Sequence, residues 1–231
     1  MRHKYFYKLF ICLFIFFNIG YLLKSFFTAI GFDLTTFNIT DLVYLESLAK
    51  VILLIIVILC YKDTLNQDYH SFNKYCRFNI KKCLYLSGIF FLVKIGAAFI
   101  VTIFGVIFGI NVGQSNNQEL VQTFALNLPI MMLISSVILA PILEEVIFRL
   151  GFKKIIKNPT AFILISGLVF GLIHVYPTSI PFGASILQVI PYVVMGFALA
   201  YIYERWRNIY YVIFVHALNN LVSMIIILFI L

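Results

Sequence analysis

The chain has 231 residues, 63% of them hydrophobic and 11% charged, with a mean hydropathy of +1.04. That balance excludes a soluble domain of this size and predicts an all-α polytopic membrane bundle, with room for about seven spans of about 20 residues. A transmembrane β-barrel is excluded because the apolar segments are continuous rather than alternating, and the net charge of +8 does not point to nucleic acid, because the basic residues cluster in short loops in the positive-inside pattern.

The basic start Met1-Arg2-His3-Lys4 precedes an apolar run from Tyr5 to about Ile30. This run is too long for a cleaved signal segment, so it reads as a retained first span with its basic end in the cytoplasm and Lys24 snorkelling at the outer end. The loop Gly31 to Asp41 carries Asp33 and Asp41 and no Lys or Arg, which fits the outside. Span two is expected over Leu42 to Tyr61, where Glu46 and Lys50 stand four apart as a local helical pair. The basic, aromatic loop Lys62 to Lys82 is expected inside, partly as an interfacial helix. Span three runs from Cys83 to Ile110 and holds Lys94, the least explained charge of the chain, whose partner the sequence does not name.

The polar loop Asn111 to Glu119 fits the outside. Span four is expected from Leu120 to Phe152, with a break conceivable at Pro129 or Pro141. Lys153, Lys154 and Lys157 follow inside. Span five covers Thr160 to Tyr176, an uncharged linker Pro177 to Gly183, span six Ala184 to Tyr203, an inner loop Glu204 to Arg207, and span seven Ile209 to Leu231. Every inner loop is basic and every outer loop neutral or acidic. Cys12, Cys60, Cys76 and Cys83 form no CxxC pair, and neither a disulfide framework nor a cysteine metal site is expected. The whole of 1–231 reads as one membrane domain, with three N-terminal spans in 1–119 and a core in 120–231.

The chemistry concentrates in that core. Glu144, Glu145 and Arg149 lie in an apolar helix, where an acidic residue at mid-bilayer costs roughly 2.5–3.5 kcal/mol. Glu145 and Arg149 are four apart and can pair. Glu144 is rotated about 100° from Glu145 and can point elsewhere. A structural ion pair explains Glu145 and Arg149 but leaves Glu144 free. Phe170 and His174 are four apart in span five, and His216 and Asn220 four apart in span seven. Three helices thus each offer a polar patch to a common interior. A desolvated carboxylate suits a general base, imidazole and carboxylate also suit zinc, and a His with an Asn can donate to an oxyanion. Glu144 and His216 lie about 12 Å from the inner face and His174 about 21 Å, a mismatch that a cavity open to the cytoplasm accommodates.

Glu144-Glu145-x-x-x-Arg149, Phe170-x-x-x-His174 and His216-x-x-x-Asn220, ordered on separate helices, resemble the CPBP (Abi) family, which includes CAAX prenyl endopeptidases and bacteriocin-processing and immunity proteins. The resemblance covers Leu120 to the end. It implies an intramembrane protease in which Glu144 and His174 activate water, His216 and Asn220 stabilise the oxyanion, and Glu145 and Arg149 hold the site together. It leaves open a metal-free mechanism or a Zn2+ held by Glu144, His174 and His216. Leu150 departs from the glycine common after the arginine, with a packing effect expected. The implied partners are the bilayer and a membrane-associated peptide or protein tail, such as a pheromone or bacteriocin precursor. A catalytically silent scaffold of the same family and a transporter are the competing readings.

Overall fold

The computed structural model describes residues 2–175 and 182–230. Among the described residues, eight α-helical elements and a short 3-10 turn at Leu34–Thr36 make up the fold: α1 Arg2–Ala29, α2 Ile39–Lys74, α3 Cys76–Phe108, α4 Asn116–Asn127, α5 Pro129–Ile155, α6 Pro159–Ile173, α7 Phe182–Trp206 and α8 Ile209–Phe229. Among the described residues there is no strand. Six of these helices are long and apolar enough to cross a membrane. The expected fifth span is the exception. It is α6, only 15 residues long, or about 22 Å, against a hydrocarbon core of about 30 Å. Most of the linker expected over Pro177 to Gly183 lies outside the described residues.

Two boundaries differ from the sequence reading. The basic stretch Lys62 to Lys82 is not a loop: α2 continues to Lys74 and α3 begins at Cys76. No glycine or proline interrupts it, so the helices run on. Their extensions brace the turn into α8. The Asp68 carboxylate accepts from the Ile209 N–H at 2.9 Å, and the Asn208 amide donates to the Asp68 carbonyl at 2.7 Å.

Span four is two helices. The steric clash of a proline ring with the residue before it disfavours helical backbone there. Leu128 accordingly leaves the helix, with φ −136° and ψ 71°, and Pro129 opens α5 as its first residue. Pro141 is instead absorbed within α5, which carries π-helical turns at Ile134–Leu139 and Val146–Gly151. The Ala140 N–H reaches back five residues to the Ser135 carbonyl. Pro141 has no N–H. The Ser136 carbonyl therefore receives no backbone donor from either residue, and the Asn220 side chain of α8 donates to it at 2.8 Å.

The core joins Leu9 and Cys12 of α1 to Tyr61, Phe90, Phe148, Phe162, Phe170, Leu199 and Val215. A smaller cluster of Val43, Ala125, Met132, Met224 and Ile227 holds α2, α4, α5 and α8 together. Large apolar side chains such as Phe10, Phe99, Ile107 and Phe229 face outward, as the lipid-facing surface of a bundle requires. The closest crossing is α6 on α7. A Cβ on Gly196 would stand 2.4 Å from the Gly167 carbonyl oxygen, and one on Gly167 only 2.2 Å from Phe197. Small residues bring the two backbones together.

Candidate active site

α5 presents Glu144 and Glu145 to different surroundings, as the 100° turn between neighbours requires. Glu145 and Arg149 are fully buried and form an ion pair at 2.9 Å. The second Glu145 oxygen accepts from His216 Nδ1 at 2.8 Å. Arg149 donates to the Ser166 hydroxyl at 2.8 Å, and that hydroxyl donates to the Phe148 carbonyl at 2.8 Å. The guanidinium also lies 4.5 Å over the Phe170 ring. One buried network thus ties α5 to α6 and α8. Leu150, expected to alter packing, is fully buried in the core beside it.

Glu144 faces a cavity of about 1010 Å³ whose walls include His174, His216, Asn220, Tyr192 and Lys94. A smaller cavity of about 490 Å³, lined by Lys24, Leu45 and Phe124, also reaches Glu144. The Glu144 Oε2 atom is buried without a hydrogen-bond partner among the described residues. It stands 3.6 Å from His174 Nε2 and 4.0 Å from His216 Nε2. Contacts of that length are too long for direct hydrogen bonds, and a water on the cavity side of the carboxylate can reach both it and an imidazole.

Both imidazoles are oriented by their other nitrogen. His174 Nδ1 donates to the Phe170 carbonyl at 2.7 Å; a carbonyl can only accept, so Nε2 carries the lone pair toward Glu144. His216 Nδ1 is held by Glu145 in the same manner. His174 sits at the end of α6, stacked at 5.1 Å on Tyr192, whose hydroxyl meets Ser115 Oγ at 2.8 Å. His174 Nε2 and Glu144 Oε2 stand 3.6 Å apart, so the depth mismatch of the sequence reading is taken up by how the helices sit against each other and not by the length of α6.

The structure therefore brings Glu144, His174 and His216 to one point, with Glu145 and Arg149 behind them. Asn220 lies one turn beyond His216. One of its amide hydrogens goes to Ser136, and its oxygen accepts from Asn219 at 3.0 Å. The expected Glu46–Lys50 pair forms at 2.7 Å, and Lys50 also donates to Ser135 at 2.8 Å. Lys94 finds the partners the sequence did not name, Asn219 Oδ1 at 2.9 Å and Ser223 Oγ at 3.3 Å. Tyr192, Asn219 and Ser166 escaped the sequence reading. Asn219 could have been found as a second amide in an apolar helix; Tyr192 and Ser166 carry no such signal.

The donor types suit zinc, since each imidazole has its second nitrogen held by a protein acceptor. As arranged, however, no group of three His, Cys, Asp or Glu side chains among the described residues is set to hold a metal ion.

A family profile described as Type II CAAX prenyl endopeptidase Rce1-like matches residues 126–222. The chain is 32% identical over 117 residues to the Bacillus subtilis (strain 168) protein named "Putative membrane peptidase YdiL", covering 49% of this chain and 43% of that one. It is 29% identical over 128 residues to an uncharacterized protein of Mycoplasma capricolum, covering 52% of this chain and 36% of that one. The chain thus spans less than half the length of either relative. No solved structure matches it. Residues 126–222 contain Glu144, Glu145, Arg149, His174, His216 and Asn220, so the stretch of this multi-pass membrane protein that carries all three motifs is similar to the CAAX prenyl endopeptidase-like family.

Proposed function

We propose that this protein is an intramembrane endopeptidase that hydrolyses peptide bonds of membrane-associated peptides or protein tails. The observation that carries the reading is Glu144 Oε2, buried without a hydrogen-bond partner among the described residues and facing two imidazole Nε2 atoms at 3.6 and 4.0 Å across a cavity. A water in the cavity beside the pair donates one hydrogen to Glu144 and the other to His174. Glu144 takes the proton as the water oxygen bonds to the scissile carbonyl carbon. His216, whose Nδ1–H is held by the Glu145 carboxylate, can carry a second proton on Nε2 and donate it as a hydrogen bond to the oxyanion. The free amide hydrogen of Asn220 is a second donor on the same wall. Glu144 then passes its proton to the leaving nitrogen as the C–N bond breaks. The substrates fit pheromone or bacteriocin precursors or CAAX-like tails, processed in the cell membrane from the cytoplasmic side.

In a second arrangement Glu144, His174 and His216 would hold Zn2+, which would supply a Lewis acid for the carbonyl and the water; the observation behind it is that two oriented imidazoles face one carboxylate. Metal content of the purified protein, measured beside His174→Ala with a peptide-cleavage assay and chelator, separates the two. Chelator-insensitive cleavage that requires Glu144 supports the metal-free route; stoichiometric zinc lost in His174→Ala, with chelator-sensitive cleavage, supports the other. Absence of both metal and cleavage, across a panel of membrane peptides, would sink the protease reading in favour of a silent scaffold.

A further inference from the structure

Four ionisable side chains line the larger cavity besides the two histidines: Glu46, Lys50, Glu144 and Lys94. Three have charged or titratable partners. Glu46 and Lys50 pair with each other at 2.7 Å, and Glu144 faces the two imidazoles. Lys94 is different. Its partners among the described residues are two neutral oxygens, those of Asn219 and Ser223, and no described carboxylate lies within ion-pair distance of it. An ammonium inside a membrane bundle is costly without a counter-charge and marks a site by default. An ammonium has three donors. Two are held by α8, and they aim the group from α3 into the cavity. Asn219 and Ser223 lie one and two turns beyond His216, about 5 and 10 Å along the helix. A short peptide can therefore reach both Lys94 and the Glu144 water site.

We propose that Lys94 is the binding residue for a substrate carboxylate, supplying an anion subsite in the cavity beside the hydrolytic centre. The subsite comes from the N-terminal helices, outside the family-matched residues 126–222. The third donor of the ammonium takes the carboxylate, and the ligand brings the counter-charge the fold omits. Lys50 cannot serve equally, because Glu46 already neutralises it. The carboxylate has two possible sources, a chain terminus or an acidic side chain. This inference rests on the protease reading only in calling the ligand a substrate.

The test is a binding measurement on the purified full chain in detergent micelles, with three fluorescent probes: dansyl-Leu-Phe-Leu as the free acid, the same peptide amidated, and amidated dansyl-Leu-Asp-Leu. The wild type should bind at least one carboxylate probe about tenfold tighter than the amidated Leu-Phe-Leu peptide, as a charge-assisted hydrogen bond provides. Preference for the free acid assigns the terminus; preference for the Asp probe assigns the side chain. Lys94→Gln keeps donors for Asn219 and Ser223 but removes the charge, and should abolish the preference. Lys94→Arg should keep most of it. Equal binding of all three probes by the wild type overturns the proposal without any variant, and so does a preference that survives in Lys94→Gln. Cleavage of longer peptides is followed on the same preparations. Carboxylate-selective binding without cleavage leaves the subsite standing and removes the protease; cleavage indifferent to carboxylates does the reverse.

Discussion

Glu144 and Glu145 are neighbours in sequence and opposites in surroundings. Glu145 is fully buried, with one oxygen on Arg149 and the other on His216. Every charge in that half of the site has a protein partner, and the half is fixed. Glu144 lies on the open half, against a cavity, with Oε2 lacking a hydrogen-bond partner among the described residues. The two together indicate how a membrane bundle can keep one carboxylate facing a cavity beside another that is locked into its helices. One acid is charge-paired with Arg149 and joined to His216, tying three helices together, and the other faces the cavity where they meet.

If that division is right, the two acids fail differently when altered. The largest effect is expected from Glu144→Gln. It keeps the size of the side chain and removes the base, so turnover should fall by about 10²- to 10⁴-fold while thermal unfolding in detergent stays within about 1 °C of wild type. Wild-type cleavage by Glu144→Gln would remove Glu144 from the mechanism. Arg149→Met should do the opposite. It strands a buried carboxylate, which costs about 3–5 kcal/mol of stability, so folded yield by size-exclusion chromatography should drop along with activity. An Arg149→Met protein as stable as wild type but inactive would move Arg149 from support into the chemistry.

The sequence discloses the parts of this division that are local. Glu145–Arg149 and Glu46–Lys50 are four residues apart, and helix geometry alone pairs them. The three polar patches were legible because lipid leaves such groups nowhere else to point. What stayed hidden depends on residues far along the chain. Pro129 and Pro141 look equally capable of ending a helix, yet only Pro129 does. At Pro141 the missing donor is replaced by Asn220, whose amide reaches the Ser136 carbonyl across 84 residues, and α5 continues with its π turns. Lys94 meets Asn219 across 125 residues, a pairing no spacing rule supplies. The basic stretch after Tyr61 misled because charge sets its side of the membrane, not its conformation, and without Gly or Pro it stays helical except for the single break at Tyr75.

The α6–α7 crossing acts on the same site from outside the charged groups, because α6 carries His174 at its end. Gly196→Ala would press a methyl to 2.4 Å from the Gly167 carbonyl oxygen, backbone that no rotamer change can clear. The expected cost is about 1–3 kcal/mol, seen as a lower melting temperature, with loss of turnover as His174 shifts from Glu144. Unchanged turnover in Gly196→Ala would mean that the His174 position tolerates movement of α6.

A smaller effect is expected at Tyr192, which stacks on His174 and anchors to Ser115. Tyr192→Phe keeps the ring against the imidazole and removes one hydrogen bond, a loss of about 0.5–1.5 kcal/mol. Tyr192→Ala removes the stack as well. If the open half of the site depends on its walls to orient His174, turnover should fall slightly in Tyr192→Phe and by a further order of magnitude in Tyr192→Ala, with KM nearly constant in both. A rise in KM with unchanged turnover would instead make Tyr192 a wall for substrate, and would leave the Phe170 carbonyl, at 2.7 Å from Nδ1, as the group that orients the imidazole.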